Sequence, residues 1–573
     1  MARQSGEGGA LADRLLSTET IAAAEAMLGI AYTDAERAMI AETAAAQIDH
    51  AVRRRQVRLP VDLAPASRFD PRLPGFAMPN PGPLRPLAEP PGKVPDRAED
   101  IAFAPVARLA GWIAGGALSA TTLAAIYLDR ITRLGPKLEC IASVTADLAM
   151  QQAARADALL AGGTYLGPLH GIPWGCKDLL DTAGILTAWG AEPFTGRVPD
   201  SDAAVVRRLA EAGAVMVAKT TLGALAYGDI WYGGVTRNPW NLAEGSSGSS
   251  AGSAAATAAG LVGFSIGTET LGSIVAPSLR CGTTGLRPTF GRVPRTGAMP
   301  LCWTLDKIGP MCRSVADTAL VLAAINGADP ADPCGIDAAF GYDAAAPVGG
   351  LRLGYYPADF AADGADPLDH AALAAAQALG LTLVPLERPE LPYDALMNIL
   401  FAEAAASFEE LTLSGADDTL TWQEPGAWPN SFRKARFLSA VDHVQLDRLR
   451  RRVMQDMVAA FAGVDAMIGP CLAGPMLVIT NFTGHPCLVL RSGFRRSPTR
   501  QRLSLARARL DQGDTAADAG AGVSVPHAIC LYGRLFDEGT VLRIGAALEQ
   551  SFGVAARRPP LDIMQQSKQE TAR

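Results

Sequence analysis

The sequence predicts an α/β protein, and three observations carry that expectation. From residue 101 onward, segments of helical periodicity alternate with short apolar runs of strand character, as when helices are layered on a sheet. Hydrophobic residues make up 49% of the chain against 19% charged, enough to fill a large interior and too apolar for a disordered chain. At 573 residues the chain exceeds a single small core, so one large domain with appendages, or two domains, is expected.

Taken in order, residues 11–57 carry helical periodicity. Thr18 or Thr20 is placed to cap one helix, and Thr33 followed by Glu36 reads as the start of another. Arg53, Arg54, Arg55 and Arg58 read as solvated cations at a helix C-terminus, where they suit the dipole. These residues form an N-terminal helical extension over 1–59. Residues 60–98 follow as a connector, with eleven prolines between 60 and 95 and no periodic apolar pattern. The main domain is expected over 99–560. Its helices read at 124–134, 146–160, 202–213, 318–325, 398–412, 441–461 and 539–552. Its strands read at 214–219, 261–267, 351–357, 381–387 and 465–470. Residues 491–509 hold seven arginines and no acid, and 494–522 read as a surface insertion. Residues 561–573 read as a flexible tail.

A net charge of −7 argues against general nucleic-acid binding. The nine cysteines are odd in number and contain no C-x-x-C pair, which suggests neither a disulfide frame nor a zinc site. The first sixteen residues lack the apolar core of a signal peptide, and the apolar run 254–267 is too short and Gly-rich to span a bilayer. A soluble, cytoplasmic protein is expected.

Residues 245–288 hold the chemistry. They are dominated by Gly, Ser, Ala and Thr, as a linker would be, yet an apolar run and two prolines among the serines speak for a packed site. Small side chains let the main chain approach a ligand, and successive N–H groups in such turns converge on developing negative charge. Ser246, Ser247, Ser249, Ser250, Ser253 and Ser273 are nucleophile candidates, but no His or Asp stands nearby as base. Upstream, Lys177 sits in the apolar turn GIPWGCKD beside Asp178. Such a lysine is commonly an ion-pair partner. Shielded from water it loses affinity for its proton and can serve as a base, and Ser–Lys pairs are an alternative to Ser–His–Asp.

Residues 245–288 resemble the signature of the amidase signature family, and GIPWGCKD is similar to its lysine motif. The similarity runs on through residues 288–325, NFTGHPCLVL at 481–490 and LYGRLFDEGTVL at 531–542. It covers about residues 99–560, leaving the first hundred outside. The resemblance implies a large mixed, twisted sheet between layers of helices, and an amidohydrolase acting on linear amide C–N bonds through an acyl-enzyme. It places Ser273 as nucleophile, Ser249 as the bridging serine of a cis peptide, and Lys177 as the group that takes and returns the proton. Thr270, Leu271, Gly272 and Ser273 would supply the oxyanion hole, with Ser250 in support. No metal or organic cofactor is implied. The expected partner is a small-molecule amide, with anilides, carbamates and esters open, no nucleic acid or membrane, and a homodimer allowed.

Three departures stand out. The family usually has Asp and Gly where Glu269 and Leu271 stand, and Arg where Val275 stands, so the customary acid–Arg contact beneath the nucleophile is expected to be absent. Arg280 is left without a role. Two rival readings remain. Similar proteins act as the glutaminase component of a tRNA-dependent amidotransferase, passing ammonia to a partner. Residues 248–252 also spell G-x-S-x-G around Ser250, which in an α/β-hydrolase would call on His485 or His527 as base.

Overall fold

The protein is described by a computed structural model covering residues 17–86, 90–362, 365–500 and 522–561. Its centre is an eleven-stranded mixed sheet. In chain order the strands are β1 (Ile141–Val144), β2 (Pro173–Lys177), β3 (Val215–Thr220), β4 (Phe264–Glu269), β5 (Thr284–Arg287) and β6 (Lys307–Cys312). They continue with β7 (Arg352–Tyr355), β8 (Thr382–Pro385), β9 (Ala466–Pro470), β10 (Cys487–Ser497) and β11 (Val523–Gly533). Across the sheet the order is β8-β7-β9-β11-β10-β5-β6-β4-β2-β3-β1. β2 runs parallel to both β3 and β4, while β6 is antiparallel to β4.

Strands β2, β3, β4 and β6 are buried along their whole length, each carrying one buried charged residue, Lys177, Lys219, Glu269 and Lys307 in turn, at or near an end. Period-two alternation still sorts their side chains. β3 sends Val215 and Val217 into one apolar cluster with the helices Ala120–Leu138, Ala146–Ala161 and Ala251–Ala258, and Met216 into the other. That second cluster holds the helices Val315–Ile325 and Glu538–Phe552, so helices cover both faces of the sheet. The apolar run read as a strand over 261–267 becomes one only at Phe264. Leu261 donates its N–H back to Ala256 O, so Leu261 and Val262 are spent in the turn after the preceding helix.

At the N-terminus, the helix Thr18–Leu28 is capped by Ser17, not by Thr18 or Thr20: the Ser17 hydroxyl accepts the Thr20 N–H at 3.3 Å. Thr33 and Glu36 form a reciprocal capping box for the helix Asp34–Thr43. After the helix Ala45–Arg55, Arg54 pairs with Glu409 at 2.7 Å and Arg58 with Glu410 at 3.1 Å. The Pro-rich stretch then lies along the sheet-bearing body. Phe69 meets Phe290 edge-on at 5.1 Å, with the buried Arg450 guanidinium 3.4 Å from its ring centre. Leu84 and Arg85 pair in parallel with Tyr342 and Asp343, and Trp112 Nε1 donates to Gly92 O at 3.0 Å.

The Arg-rich stretch is partly sheet. β10 continues through Ser497 against β11, so residues 494–497 are strand rather than insertion, because each has a partner between Val523 and Pro526. Residues 501–521 and 562–573, where the rest of the insertion and the tail were expected, lie outside the described residues. Among the described residues no helix is long and apolar enough to cross a membrane.

Phe264 is a good probe of the two-faced core. It is fully buried and stacks on its cross-strand partner Trp174 at 6.1 Å and 8°. Phe264→Ala is expected to cost about 3–5 kcal/mol, whereas Val458→Ala on an exposed helix face should stay within about 0.5 kcal/mol. Denaturant midpoints of the two variants check this.

Candidate active site

β2 and β4 are parallel neighbours, with Trp174 opposite Phe264 and Cys176 opposite Ile266. Their carboxyl ends therefore emerge together, bringing Lys177 beside Thr268. The Ala-rich helix Ala251–Ala258 lies over the same strands, with Ser250 as its N-cap residue. Just before it, Gly248 and Ser249 are joined by a cis peptide, and Ser247 has φ of +62°. A Cβ at Gly248 would lie 1.8 Å from Gly228 O, so only glycine lets the two chain segments approach this closely.

Lys177 is fully buried. Its Nζ lies 2.9 Å from Ser249 Oγ, 2.9 Å from Ser250 Oγ and 2.8 Å from Thr268 Oγ1. Among the described residues no carboxylate pairs with it. Asp178, next in sequence, turns instead toward Lys219 at 3.7 Å. Burial holds the Lys177 amine well below its ordinary pKa, and the fields of Asp306 and Glu269 only partly oppose this. The hydrogen bonds fit an uncharged amine. Ser250 Oγ donates to Thr268 O at 3.0 Å and accepts the Thr268 N–H at 3.1 Å, so from Lys177 it can only accept. A neutral amine has two N–H groups and one lone pair, and a hydroxyl proton of Ser249 or Thr268 is left to meet that lone pair.

Lys177, Ser249 and Ser250 are thus brought together through their side chains. Ser273 joins them through the main chain: Ser250 N–H donates to Ser273 O at 3.1 Å. Among the described residues no hydrogen bond links the Ser273 hydroxyl to Ser249 or Lys177. The turn carrying Ser273 has Gly272 at φ of +81°. No protein acceptor among the described residues takes the N–H of Leu271, Gly272 or Ser273, whereas those of Ile274 and Val275 both go to Glu269 Oε2, at 2.8 and 3.0 Å. Three adjacent donors are therefore left for a bound group. Leu271 is half-buried and packs on the apolar core.

The expectation that no acid–Arg contact underlies the nucleophile is corrected. Glu269 Oε1 accepts from Arg287 Nη1 at 2.7 Å and from Asn481 Nδ2 at 2.9 Å, all three residues being buried. Glutamate, one methylene longer than aspartate, reaches across β6 to the end of β5, where an arginine is available although Val275 offers none. Burial pushes the Glu269 carboxyl up, but Arg287, Lys307 and the N–H donors together bring it down to about 2. On the other side of the turn, Thr270 Oγ1 donates to Asp306 Oδ1 at 2.5 Å, and Asp306 Oδ2 accepts the N–H groups of Leu301 and Cys302. Thr268, Arg287, Asn481 and Asp306 were not singled out in the sequence. Thr268 and Arg287 lie inside the glycine-rich stretch, and Asp306 and Asn481 inside the other segments of the resemblance, but nothing local marked them out.

A cavity of about 220 Å³ opens beside Thr268 and Thr270. Its wall includes Leu179, Ala226, Met299 and Asp306, with Asp62 and Ala64 contributed by the Pro-rich stretch. Neither histidine of the hydrolase reading contacts Ser250. His485 stacks on Phe461 and bonds Thr483, its pKa lowered to about 3 by burial and by Arg287. His527 bonds Asp369 at 2.8 Å.

The Glu269–Arg287 pair makes a measurable prediction. Arg287→Met leaves a buried carboxylate without its cation and should destabilise by about 3–5 kcal/mol. Adding Glu269→Gln should return part of that loss, and a double-mutant cycle of unfolding free energies reads the coupling.

Comparison with known proteins gives the family and the fold. The Amidase family profile matches residues 122–489. A glutamyl-tRNA(Gln) amidotransferase subunit from Heliobacterium modesticaldum is 31% identical over 483 residues, covering 78% of this chain and 96% of that protein. Its counterpart from Geobacter metallireducens is 33% identical over 469 residues, covering 76% and 94%. Among solved structures, the peptide amidase of Stenotrophomonas maltophilia superposes with a TM-score of 0.67 at 30% identity, covering 80% of this chain and 98% of that one. With a matched profile, near full-length relatives and the Lys177–serine cluster on a common sheet, the chain belongs to the amidase family and is an amidohydrolase acting on C–N bonds.

Proposed function

We propose that this protein cleaves a carboxamide by acyl transfer to Ser273, with Ser249 and Lys177 as the proton relay. The observation that carries the reading is a fully buried lysine, free of any carboxylate among the described residues and hydrogen-bonded to Ser249. In this scheme neutral Lys177 takes the Ser249 proton as Ser249 takes that of Ser273. Ser273 Oγ then attacks the carbonyl carbon, and the oxygen that becomes negative is received by N–H groups of the turn Thr270, Leu271, Gly272 and Ser273. Collapse breaks the C–N bond, the relay returns its proton to the leaving nitrogen, and water releases the acyl group by the same steps in reverse order. Ser250, its proton engaged with Thr268 O, orients Lys177.

As to substrate, the curated relatives favour a glutaminase-type subunit of an amidotransferase over a stand-alone amidase for small molecules. They match the chain along nearly their whole length. The glutaminase reading makes glutamine the amide donor and further subunits the receivers of its ammonia. The stand-alone reading keeps one observation: the Pro-rich stretch outside the matched region places Asp62 and Ala64 in the cavity wall beside Thr268 and Thr270. Ammonia release by the isolated chain, measured on glutamine and on a panel of peptide and aryl amides, separates the two. Turnover of aryl amides with none of glutamine would remove the glutaminase reading.

Ser273→Ala should abolish turnover, and Ser249→Ala or Lys177→Met should each lower kcat/KM by about 10²–10⁴-fold, with little further loss when combined. Lys177→Arg should be equally inactive, since a guanidinium keeps its proton. Because burial lowers the Lys177 pKa, the wild-type rate should rise with pH as one proton is lost and level off well before the ordinary lysine range. A Lys177→Arg enzyme that is folded by circular dichroism and retains a tenth of wild-type kcat/KM would show that Lys177 is not the base.

A further inference from the structure

A second cavity, of about 410 Å³, lies away from the serine cluster, and its wall holds Arg313, Arg491, Arg557 and Arg558. We propose that it is a binding site for a small molecule carrying at least two negative charges on phosphate or carboxylate oxygens. Its volume is in the range of small-ligand sites.

The charge balance points this way. Among the residues of the wall the one carboxylate is Asp100, and it is already engaged, accepting from Arg558 Nη1 at 2.7 Å. Among the described residues no carboxylate forms an ion pair with Arg313, Arg491 or Arg557. Arg491 and Arg557 nevertheless share one aromatic ring, their guanidinium carbons 5.3 and 3.6 Å from the centre of Phe494. Two like charges held on one ring repel each other, and an anion shared between them would offset that repulsion.

A purely structural role explains part of the set. Arg313 gives its Nη groups to the carbonyls of Thr257, Val262, Ala102 and Ala104, and Arg491 gives its own to Ala555 and Arg557. It leaves the buried Nε–H groups of both without an acceptor. It also leaves the exposed Arg557, whose side chain makes no hydrogen bond among the described residues. Two guanidinium groups fixed by main-chain carbonyls, with a third at the rim, form a preorganised set of donors for phosphate or carboxylate oxygens. Burial, with Arg557 as a like-charged neighbour, outweighs the field of Glu549 and lowers the Arg491 pKa to about 10, as for a cation short of counterions.

The test is calorimetric titration of the full chain with pyrophosphate and, separately, with succinate, at low ionic strength and against sodium chloride as control. Saturable binding of at least one probe, weakened about tenfold or more in Arg557→Gln and by added salt, is the expected result; tenfold corresponds to about 1.4 kcal/mol. The Arg557 guanidinium holds no other part of the chain by hydrogen bonds, so its variant should fold, and a Tm matching wild type confirms it. Arg491→Gln should weaken binding as well. The two probes distinguish a phosphate from a dicarboxylate site. Absence of binding by both at millimolar concentration, or binding unchanged in Arg557→Gln, overturns the proposal.

Discussion

An amine buried without a counterion governs this structure. Lys177 is shut away from the surface and has no carboxylate partner among the described residues, so its charged form is disfavoured and its hydrogen bonds come from neutral oxygens. Three hydroxyls meet it from two directions, Ser249 and Ser250 from the start of the helix Ala251–Ala258 and Thr268 from β4. That convergence demands parallel β2 and β4 as neighbours and a helix able to lie close over them. The small residues of 245–260 are the consequence: every residue of that helix is buried, and larger side chains would push it off the sheet.

The turn bearing Ser273 is governed by the opposite treatment of charge. Glu269 and Arg287 are as buried as Lys177, yet both stay ionised because each is the other's counterion and because Ile274, Val275 and Asn481 satisfy the remaining oxygen positions. The carboxylate draws two N–H groups down into the protein and leaves the three before them without a protein acceptor among the described residues. Asp306 fixes the other flank through Thr270. The same low-dielectric interior thus disfavours the charge on one lysine and sustains it on one glutamate by withholding or supplying a partner.

The segment before the matched region is part of this body rather than a tether to it. Phe69 is held between Phe290 and Arg450, and Arg450 in turn donates to Phe482 O and to Thr304, in segments that flank the Ser273 turn. Asp62 and Ala64 close one wall of the cavity beside Thr268 and Thr270. The matched relatives align along nearly their full lengths.

The sequence determined the fold class and several long helices of the main domain to within a few residues, though not those at 106–114, 251–258, 367–378 or 476–482, and through its family resemblance it pointed to Lys177, Ser249 and Ser250, which the structure brings together. Long periodic segments and a run of small residues are local signals, but composition left six serines as candidates and Lys177 as a possible ion-pair partner, and it is the family resemblance that selects Lys177 and Ser249 among them. The sequence also showed that Glu269 and Val275 were unusual, but not what resolved them. Arg287 lies eighteen residues after Glu269 and reaches it across β6, a contact set by strand order rather than spacing. Asn481 and Asp306 are more distant still in sequence. Strand ends were misplaced where apolar residues such as Leu261 are buried in a turn, since burial and extension leave the same mark on a sequence. The pairing of buried charges belongs to the tertiary structure alone, because the partner of a buried ion is chosen by which chain segments the sheet brings together.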